Sequence, residues 1–299
     1  MILLPVDQLA YTIALSFGTV DACVGVNILK ESGGSVSLQE TDSIRQHYNT
    51  VTTCSVDTAK PFSLFGGQGP HSTLVALGGD DGLVTIWRVC ESVKTSSRFA
   101  LLRSQESIPT IELVQILTGL KAKVEAVCVN AALQIVVTID ATGQLYLHST
   151  QDGQYLREVS LKQALQGVIQ GSYRSLHAEA IRSTSLGEII LLIRYKQDHK
   201  TKRMFVLLGD SLKVLSSHIL EESGILPYLY CSHDSKKIVY CYESGMKVLA
   251  LHSEFECLKE IDCKPPSPYT CFTVSPDEQL LLAGLGDGSL VAFGLLGGF

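Results

Sequence analysis

The stretch that decides the fold is Thr73 to Val89, which reads TLVALGGDDGLVTIWRV. A short apolar run, Leu74 to Leu77, precedes a cluster of turn-forming residues, Gly78 to Gly82. The apolar pattern then resumes and includes the single tryptophan, Trp87. Two such runs around a Gly/Asp turn predict a β-hairpin. Trp87 is expected in the core, because an aromatic residue on a central strand buries a large apolar area.

The hairpin pattern returns twice along the chain. Leu133 to Ser149 reads LQIVVTIDATGQLYLHS, and Gln279 to Leu295 reads QLLLAGLGDGSLVAFGL. In the first and last copies along the chain, Asp81 precedes Trp87 and Asp287 precedes Phe293 by six positions. A strand, a glycine-containing turn and a second strand, found three times, predict an internal repeat.

The spacing between the turn aspartate and the aromatic residue resembles that of WD-repeat β-propellers, in which the carboxylate organises the neighbouring loop. His47 stands a few residues before the next strand, as the loop histidine of a WD blade does. The resemblance implies a structural hydrogen-bonded set of His47, Asp81 and Trp87, with Asp287 as the matching aspartate of the last blade. The serine or threonine of that set falls at Leu77, so the set is expected to be incomplete.

The order of motifs resembles a more specific family. After Val124 the chain gives strands, a histidine, a glycine turn and the run Tyr155 to Arg157. This order is similar to the propeller that follows the BEACH domain in neurobeachin-like and beige-like proteins. The resemblance implies an all-β WD-repeat propeller with four-stranded antiparallel blades, about six of them visible here against seven in the family. Residues 1–299 are expected to form one propeller domain without the BEACH domain, either because the chain is a fragment or because a neighbouring segment was lost from the gene model.

Composition limits the classes of partner. The 299 residues are 45% hydrophobic and 18% charged, which is typical of a globular chain. A net charge of −6 argues against a general nucleic-acid binder, which needs a basic surface. The nine cysteines include no Cys-x-x-Cys pair, which favours thiols in a reducing compartment. No apolar run approaches the roughly 20 residues that span a bilayer, so a cytoplasmic chain is expected.

The sequence contains no recognisable catalytic motif. The glycine clusters Gly66 to Gly69 and Gly284 to Gly288 do not open helices, so they are interpreted as turns and not as phosphate loops. His148 and His252 end apolar strands, where a hydrogen-bonded packing histidine is commoner than a metal ligand. We therefore predict no catalytic residue, no cofactor, no metal and no small-molecule substrate.

Two basic segments are the candidate partner contacts. One is the polar stretch Cys90 to Pro109, predicted to be a long loop, and the other is a charged hairpin tip, predicted to span Lys196 to Lys202. Such a tip is most often a solvated turn, and the alternative is contact with an acidic partner or anionic lipid headgroups. The candidate residues are Lys94, Arg98, Arg103, Lys200, Lys202 and Arg203.

The resulting hypothesis is a non-catalytic scaffold that binds proteins through its propeller faces. The resemblance implies a role in vesicle trafficking, membrane dynamics or autophagy, in the cytoplasm and at the periphery of endomembranes. One alternative is the substrate receptor of another complex, such as a ubiquitin ligase. The other is an enzyme that uses the propeller channel. We also expect the apolar Ile2 to Leu4 to pair with the final blade and so cover its open edge.

Overall fold

The computed structural model describes residues 2–4, 11–17, 23–32, 35–45, 50–59, 72–93, 107–262, 265–275 and 277–295. Within these residues the chain forms six β-sheets and one short helix. The chain is therefore all-β, as the sequence predicts.

Strands of the first and second sheets follow one another along the chain. The first sheet contains β1 (Ile2–Leu4), β2 (Tyr11–Phe17), β3 (Cys23–Ser32) and β4 (Ser35–Arg45). The second contains β5 (Val51–Ala59), β6 (Ser72–Gly79), β7 (Val84–Val93) and β8 (Ser107–Leu117). In each, strands that are adjacent in sequence are adjacent in the sheet.

The third and fourth sheets have the same plan. The third contains β9 (Val124–Asn130), β10 (Ile135–Asp140), β11 (Gln144–Ser149) and β12 (Tyr155–Ser160), and the one-turn helix α1 (Leu161–Ala164) follows it. The fourth contains β13 (Arg174–Ser183), β14 (Ile189–Gln197), β15 (Lys200–Leu208) and β16 (Val214–Leu220).

The last two sheets complete the described chain. The fifth contains β17 (Tyr230–Cys231), β18 (Lys237–Tyr242), β19 (Gly245–Ala250) and β20 (Cys257–Asp262). The sixth contains β21 (Tyr269–Val274), β22 (Leu280–Leu285) and β23 (Leu290–Gly294). Consecutive antiparallel meanders of this kind are the blades of a β-propeller.

The blade count differs from the expectation. Five sheets have four strands, and the sixth has three strands among the described residues. The complete four-stranded blades therefore number five, not the six read from the sequence nor the seven of the BEACH-associated family. Hairpin signals identify pairs of neighbouring strands, but they do not determine how many strands one sheet collects.

The chain divides into two compact units, and the division passes through the third sheet. One unit comprises residues 1–142 with 147–157, and the other comprises residues 143–146 with 158–299. In the first unit, alternate residues of β6 and β7 pack against β9. This core consists of Leu74, Ala76, Val84, Ile86, Leu117, Val124, Val127, Val129, Ala131 and Val136. Each of these side chains is at most 3% exposed, so the second and third sheets share one apolar interface.

The second unit has two apolar interfaces, one on each side of the fifth sheet. Towards the fourth sheet, Phe205 meets Tyr240 edge to face at 5.2 Å and stacks with Phe255 at 5.9 Å between ring centroids. Towards the sixth sheet, Cys241 and Met246 pack with residues such as Leu281. Residues Ile189 to Ile193 of β14 are buried on both faces of the sheet, which explains the apolar run with which the strand begins.

The N-terminal strand does not pair with the final blade. Strand β1 pairs antiparallel with β2, and Ile2 faces Leu15 while Leu4 faces Ile13. The expectation that Ile2–Leu4 covers the last sheet is therefore wrong. A strand that pairs with its neighbour in sequence closes a short loop, whereas the last sheet would require closure over nearly the whole chain, which costs more entropy.

The predicted loop from Cys90 to Pro109 is shorter than expected. Strand β7 continues to Val93 and β8 begins at Ser107, and these two residues face each other across the hairpin. The sequence of these two arms mixes polar and apolar residues without regular alternation, so the strand signal is weak there. Residues 94–106 of the predicted loop lie outside the described part of the chain.

Candidate interaction surface

Two hydrogen bonds at Leu83 close the turn between β6 and β7. The Gly79 amide donates to the Leu83 carbonyl at 3.0 Å, and Asp81 Oδ1 accepts from the Leu83 amide at 3.0 Å. Gly82 has a φ of +74°, and a Cβ there would lie 3.2 Å from the Ala122 carbonyl oxygen. Glycine suits this position because its φ is positive and because the turn approaches the loop after β8 closely.

Trp87 lies in the core, 3% exposed. Its indole Nε1 donates to Thr85 Oγ1 at 2.9 Å, in a buried hydrogen bond. Thr85 faces Leu77 across the β6–β7 pair. The hydroxyl expected at Leu77 is therefore supplied by Thr85, which stands two residues before Trp87 on the same side of its strand. His47, the third member of the expected set, lies outside the described residues.

A buried carboxylate, Asp140, organises the corresponding turn of the third sheet. It is completely buried, and its Oδ1 accepts from the Thr142 amide at 2.9 Å and from the Thr142 hydroxyl at 2.5 Å. Its Oδ2 accepts from the Lys121 amide at 3.3 Å, in the loop before β9. Asp140 is absent from the set predicted from the sequence. The sequence feature that could have identified it is an aspartate at the end of an apolar strand, just before Ala-Thr-Gly.

The same local hydrogen bond recurs through the described chain. Six aspartates each accept from the backbone amide two residues later, at distances of 2.9 to 3.1 Å: Asp81, Asp140, Asp152, Asp234, Asp277 and Asp287. In the last four, a serine hydroxyl and then a backbone amide hold the pKa of the carboxyl below its usual value. These carboxylates stabilise hairpin turns while ionised.

Polar side chains of β5 in the second sheet hydrogen-bond to the backbone at β9 in the third sheet. Ser55 Oγ accepts from the Val129 amide at 3.1 Å, and Asp57 Oδ2 accepts from the Ala131 amide at 2.7 Å. Thr52 Oγ1 donates to the Val124 carbonyl at 2.6 Å. Strand β9 is an edge strand of its sheet, so its outward backbone groups obtain partners from the side chains of β5.

The basic hairpin of the fourth sheet has a two-residue tip. Strands β14 and β15 pair as far as Gln197 and Lys200, and the connecting Asp198 and His199 have φ of +49° and +64°. Positive φ at both positions is typical of a type I′ turn. The tip is therefore shorter than the seven-residue segment expected from Lys196 to Lys202, and the candidate contacts Lys200, Lys202 and Arg203 are strand residues.

The three candidate cations of this hairpin differ in their surroundings. Lys200 is exposed. Lys202 Nζ donates to Gln197 Oε1 at 2.9 Å. Arg203 forms a two-point contact with Glu179, with Nε 2.6 Å from Oε2 and Nη2 3.2 Å from Oε1. The other predicted contacts, Lys94, Arg98 and Arg103, lie outside the described residues.

The second unit also contains an ionic cluster. Lys247 Nζ lies 2.6 Å from Glu222 Oε1 and 3.3 Å from Glu260 Oε1, and the Tyr242 hydroxyl donates to Glu260 at 2.8 Å. Hydrogen bonding to Glu222 raises the pKa of Lys247. Burial tends to raise the pKa of Glu222, but the hydrogen bond and charge of Lys247 lower it overall. The cluster connects the segment after β16 to β19 and β20, and its contacts hold the three charged side chains in fixed positions.

The histidines that end strands have ordinary packing environments. His148 is 5% exposed and meets Tyr155 edge to face at 5.8 Å, and burial lowers the pKa of its imidazole. His252 Nε2 lies 3.7 Å from Glu188 Oε2. In the part of the chain that the structure covers, no three His, Cys, Asp or Glu residues are grouped so as to hold a metal ion.

Two further findings concern membrane-spanning helices and related proteins. None of the helices among the described residues has both the length and the apolar character needed to cross a bilayer. No protein-family model matches the sequence, and no curated protein matches it.

Proposed function

We propose that this chain is a non-catalytic β-propeller that binds partner proteins through its blades and loops. The observation that carries this proposal is the use of its turn aspartates. Six of them accept backbone amides in hairpin turns, and four have a lowered pKa. A general acid or base works best with a pKa near the operating pH, so these carboxylates suit structural roles.

The order of the hairpin motifs supports a narrower proposal, a BEACH-type propeller that acts in vesicle trafficking, membrane dynamics or autophagy. Such a protein would work in the cytoplasm at the periphery of endomembranes. The thiols agree with a reducing compartment: Cys241, Cys257 and Cys271 carry no disulfide. Burial raises the pKa of the Cys241 thiol to about 12, so it stays protonated and acts as a small apolar group.

Affinity purification of the tagged chain followed by mass spectrometry tests the proposal. Recovery of endosomal or autophagy proteins is expected. Recovery of cullin-adaptor components would instead assign the chain to a ubiquitin ligase as a substrate receptor.

A charge-reversal variant tests the basic hairpin as a contact. Lys200→Glu with Lys202→Glu is expected to lose the recovered partners. Lys213→Glu with Lys236→Glu is the matched control, because it makes the same change in charge at two exposed lysines outside the β14–β15 hairpin. Equal loss in both variants would show a general charge effect and would remove the hairpin from the proposed surface.

The enzyme alternative has its own test. The purified chain is expected to hydrolyse none of a broad panel of esters and phosphate esters. Turnover that a single substitution abolishes would contradict the non-catalytic proposal.

A further inference from the structure

One face of the fourth sheet collects basic side chains near the β14–β15 tip. Arg194 and Lys196 are two residues apart on β14, so they share a face. Across the strands, Arg194 faces Arg203, while Lys196 faces Arg174 on one side and Thr201 on the other. We call these five residues, Arg174, Arg194, Lys196, Thr201 and Arg203, the cationic face. It carries four cations in a chain whose net charge is −6.

Glu179 compensates part of this charge. Strand β13 shifts register between Ala178 and Ala180, so Glu179 is an extra residue opposite β14. Its carboxylate contacts Arg194 at 2.7 Å and Arg203 at 2.6 Å. One carboxylate therefore serves two guanidinium groups, and it holds both in fixed positions.

Arg174 and Lys196 lack such compensation. They face each other directly, which places their Cβ atoms about 5 Å apart, and like charges at this position destabilise a sheet. Both are exposed, and neither forms an ion pair within the described ranges. Among the described residues the pair is therefore a cationic site without a carboxylate partner, next to the exposed Thr201.

The backbone beside Arg174 is strained. Ser175 has a φ of +47°, and the register of β13 shifts between Arg174 and Leu176. A residue other than glycine at positive φ costs free energy, and such residues concentrate at binding sites. The bulge sets the direction of Arg174 relative to β14, so the like-charge pair is part of a specific local geometry.

We propose that the cationic face binds the phosphate group of a phosphorylated serine or threonine in a partner protein. The Arg174 guanidinium would take two phosphate oxygens, Lys196 would supply a second cation, and the Thr201 hydroxyl would donate a hydrogen bond. A phosphate monoester carries up to two negative charges at neutral pH and relieves the repulsion between Arg174 and Lys196. This inference rests on the proposed scaffold function and specifies one chemical group that the scaffold recognises.

A protein-borne phosphate fits this face better than a membrane does. The hairpin tip, Asp198 and His199, contains an acid and no apolar residue that could enter a bilayer. The net charge of −6 also opposes approach to an anionic surface. A phosphate group on a peptide requires only the small area around Arg174 and Lys196.

The test measures binding of a short degenerate peptide pool with phosphoserine fixed at its centre, compared with the same pool carrying serine. The wild-type chain is expected to prefer the phosphorylated pool. Arg174→Gln or Lys196→Gln should each weaken binding about tenfold, the usual effect of losing one charge-assisted hydrogen bond. Lys213→Gln is the matched control, because it removes the same charge from an exposed lysine between β15 and β16, outside the cationic face. It should change binding by less than about twofold.

Thermal melting separates a lost site from a lost fold. Lys196→Gln removes a like-charge contact, so its melting temperature should equal or exceed that of the wild type while phosphopeptide binding falls. Equal binding of both pools, or binding that Arg174→Gln and Lys196→Gln leave unchanged, overturns the proposal. Sensitivity of phosphoinositide-vesicle binding to these two variants, without phosphopeptide binding, overturns the assignment to a protein.

The phosphopeptide measurement and the affinity purification can fail independently of each other. If partner proteins are recovered but no phosphopeptide binds, the scaffold function stands and the phosphate site is wrong. If phosphopeptides bind but the tagged chain recovers no partner, the phosphate site stands and the scaffold proposal fails its own test.

Discussion

Leu77 and Thr85 face each other across the β6–β7 hairpin, and Thr85 accepts the indole N–H of Trp87 at 2.9 Å. Both residues are fully buried. In a WD blade the hydroxyl would stand on the strand that holds Leu77, and here it stands on the strand of Trp87 itself. The aromatic residue thus keeps a hydrogen-bond partner while Leu77 contributes only apolar packing.

Replacing Trp87 with alanine should lower the free energy of unfolding by about 3–5 kcal/mol, because it deletes a large buried aromatic side chain. Thr85→Val keeps the shape but leaves the indole N–H without its acceptor, which should cost about 1–3 kcal/mol. Urea unfolding measures both. In Trp87→Phe the N–H is absent, so adding Thr85→Val to that variant should cost less. An unchanged unfolding curve for Trp87→Ala would show that the indole contributes nothing to the core.

Local patterns were sufficient to predict the hairpins. The Thr73–Val89 stretch, with its glycines and alternating apolar residues, specifies β6, the turn and β7 through contacts between near neighbours. The turn carboxylate Asp81 follows for the same reason, since an aspartate accepts the amide two residues later without help from distant parts of the chain.

Contacts that depend on distant residues could not be predicted in the same way. The contact of Asp140 with the Lys121 amide and that of Asp57 with the Ala131 amide depend on which sheets meet. The pairing of β1 with β2 was missed because any exposed strand edge could accept an apolar segment. The cationic face depends on a register shift at Glu179 that has no distinct sequence signal.

The buried turn carboxylate Asp140 provides a second stability test. Asp140→Asn can keep one acceptor but directs an NH₂ group towards either the Thr142 or the Lys121 amide. We expect a loss of about 1–3 kcal/mol in the free energy of unfolding, because the buried side chain at position 140 then turns a donor towards a backbone amide that has lost its acceptor. Asp287→Asn is the control, because it alters the same kind of turn at an exposed position and should change stability much less. Equal losses would mean that burial of Asp140 adds nothing.

Because of His148, the free energy of unfolding should decrease at mildly acidic pH. Burial lowers the pKa of its imidazole below the ordinary value of 6.5, so the unfolded chain binds a proton more readily than the folded chain. The contribution of the neutral imidazole is fully present above pH 6.5 and is lost as the pH falls towards the lowered pKa. The urea midpoint of the wild type should therefore decrease as the pH is lowered from neutral to mildly acidic values. The decrease should be smaller in His148→Gln. His199→Gln, at the exposed hairpin tip, should retain the wild-type slope. A slope unchanged by His148→Gln would exclude this residue as the source.

Removing Lys247 from its ionic cluster should lower the free energy of unfolding. Lys247→Met leaves Glu222 and Glu260 without their shared cation, and both Lys247 and Glu222 are mostly buried, with 20% and 15% of their side chains exposed. Removing one partner of a buried ion pair costs about 3–5 kcal/mol, and partial solvation should reduce the loss here to about 1–3 kcal/mol.

The double variant Lys247→Met with Glu222→Gln separates pairing from packing. It should recover part of the stability lost in Lys247→Met, because the largely buried Glu222 then carries no charge beside Tyr240, while the remaining Glu260 is about half exposed and solvated. Urea unfolding at low and high salt provides the measurement, and added salt should narrow the difference between wild type and Lys247→Met. If the two losses simply add and salt has no effect, the contribution of Lys247 is the packing of its aliphatic chain against Tyr242, and the ion pair itself contributes nothing.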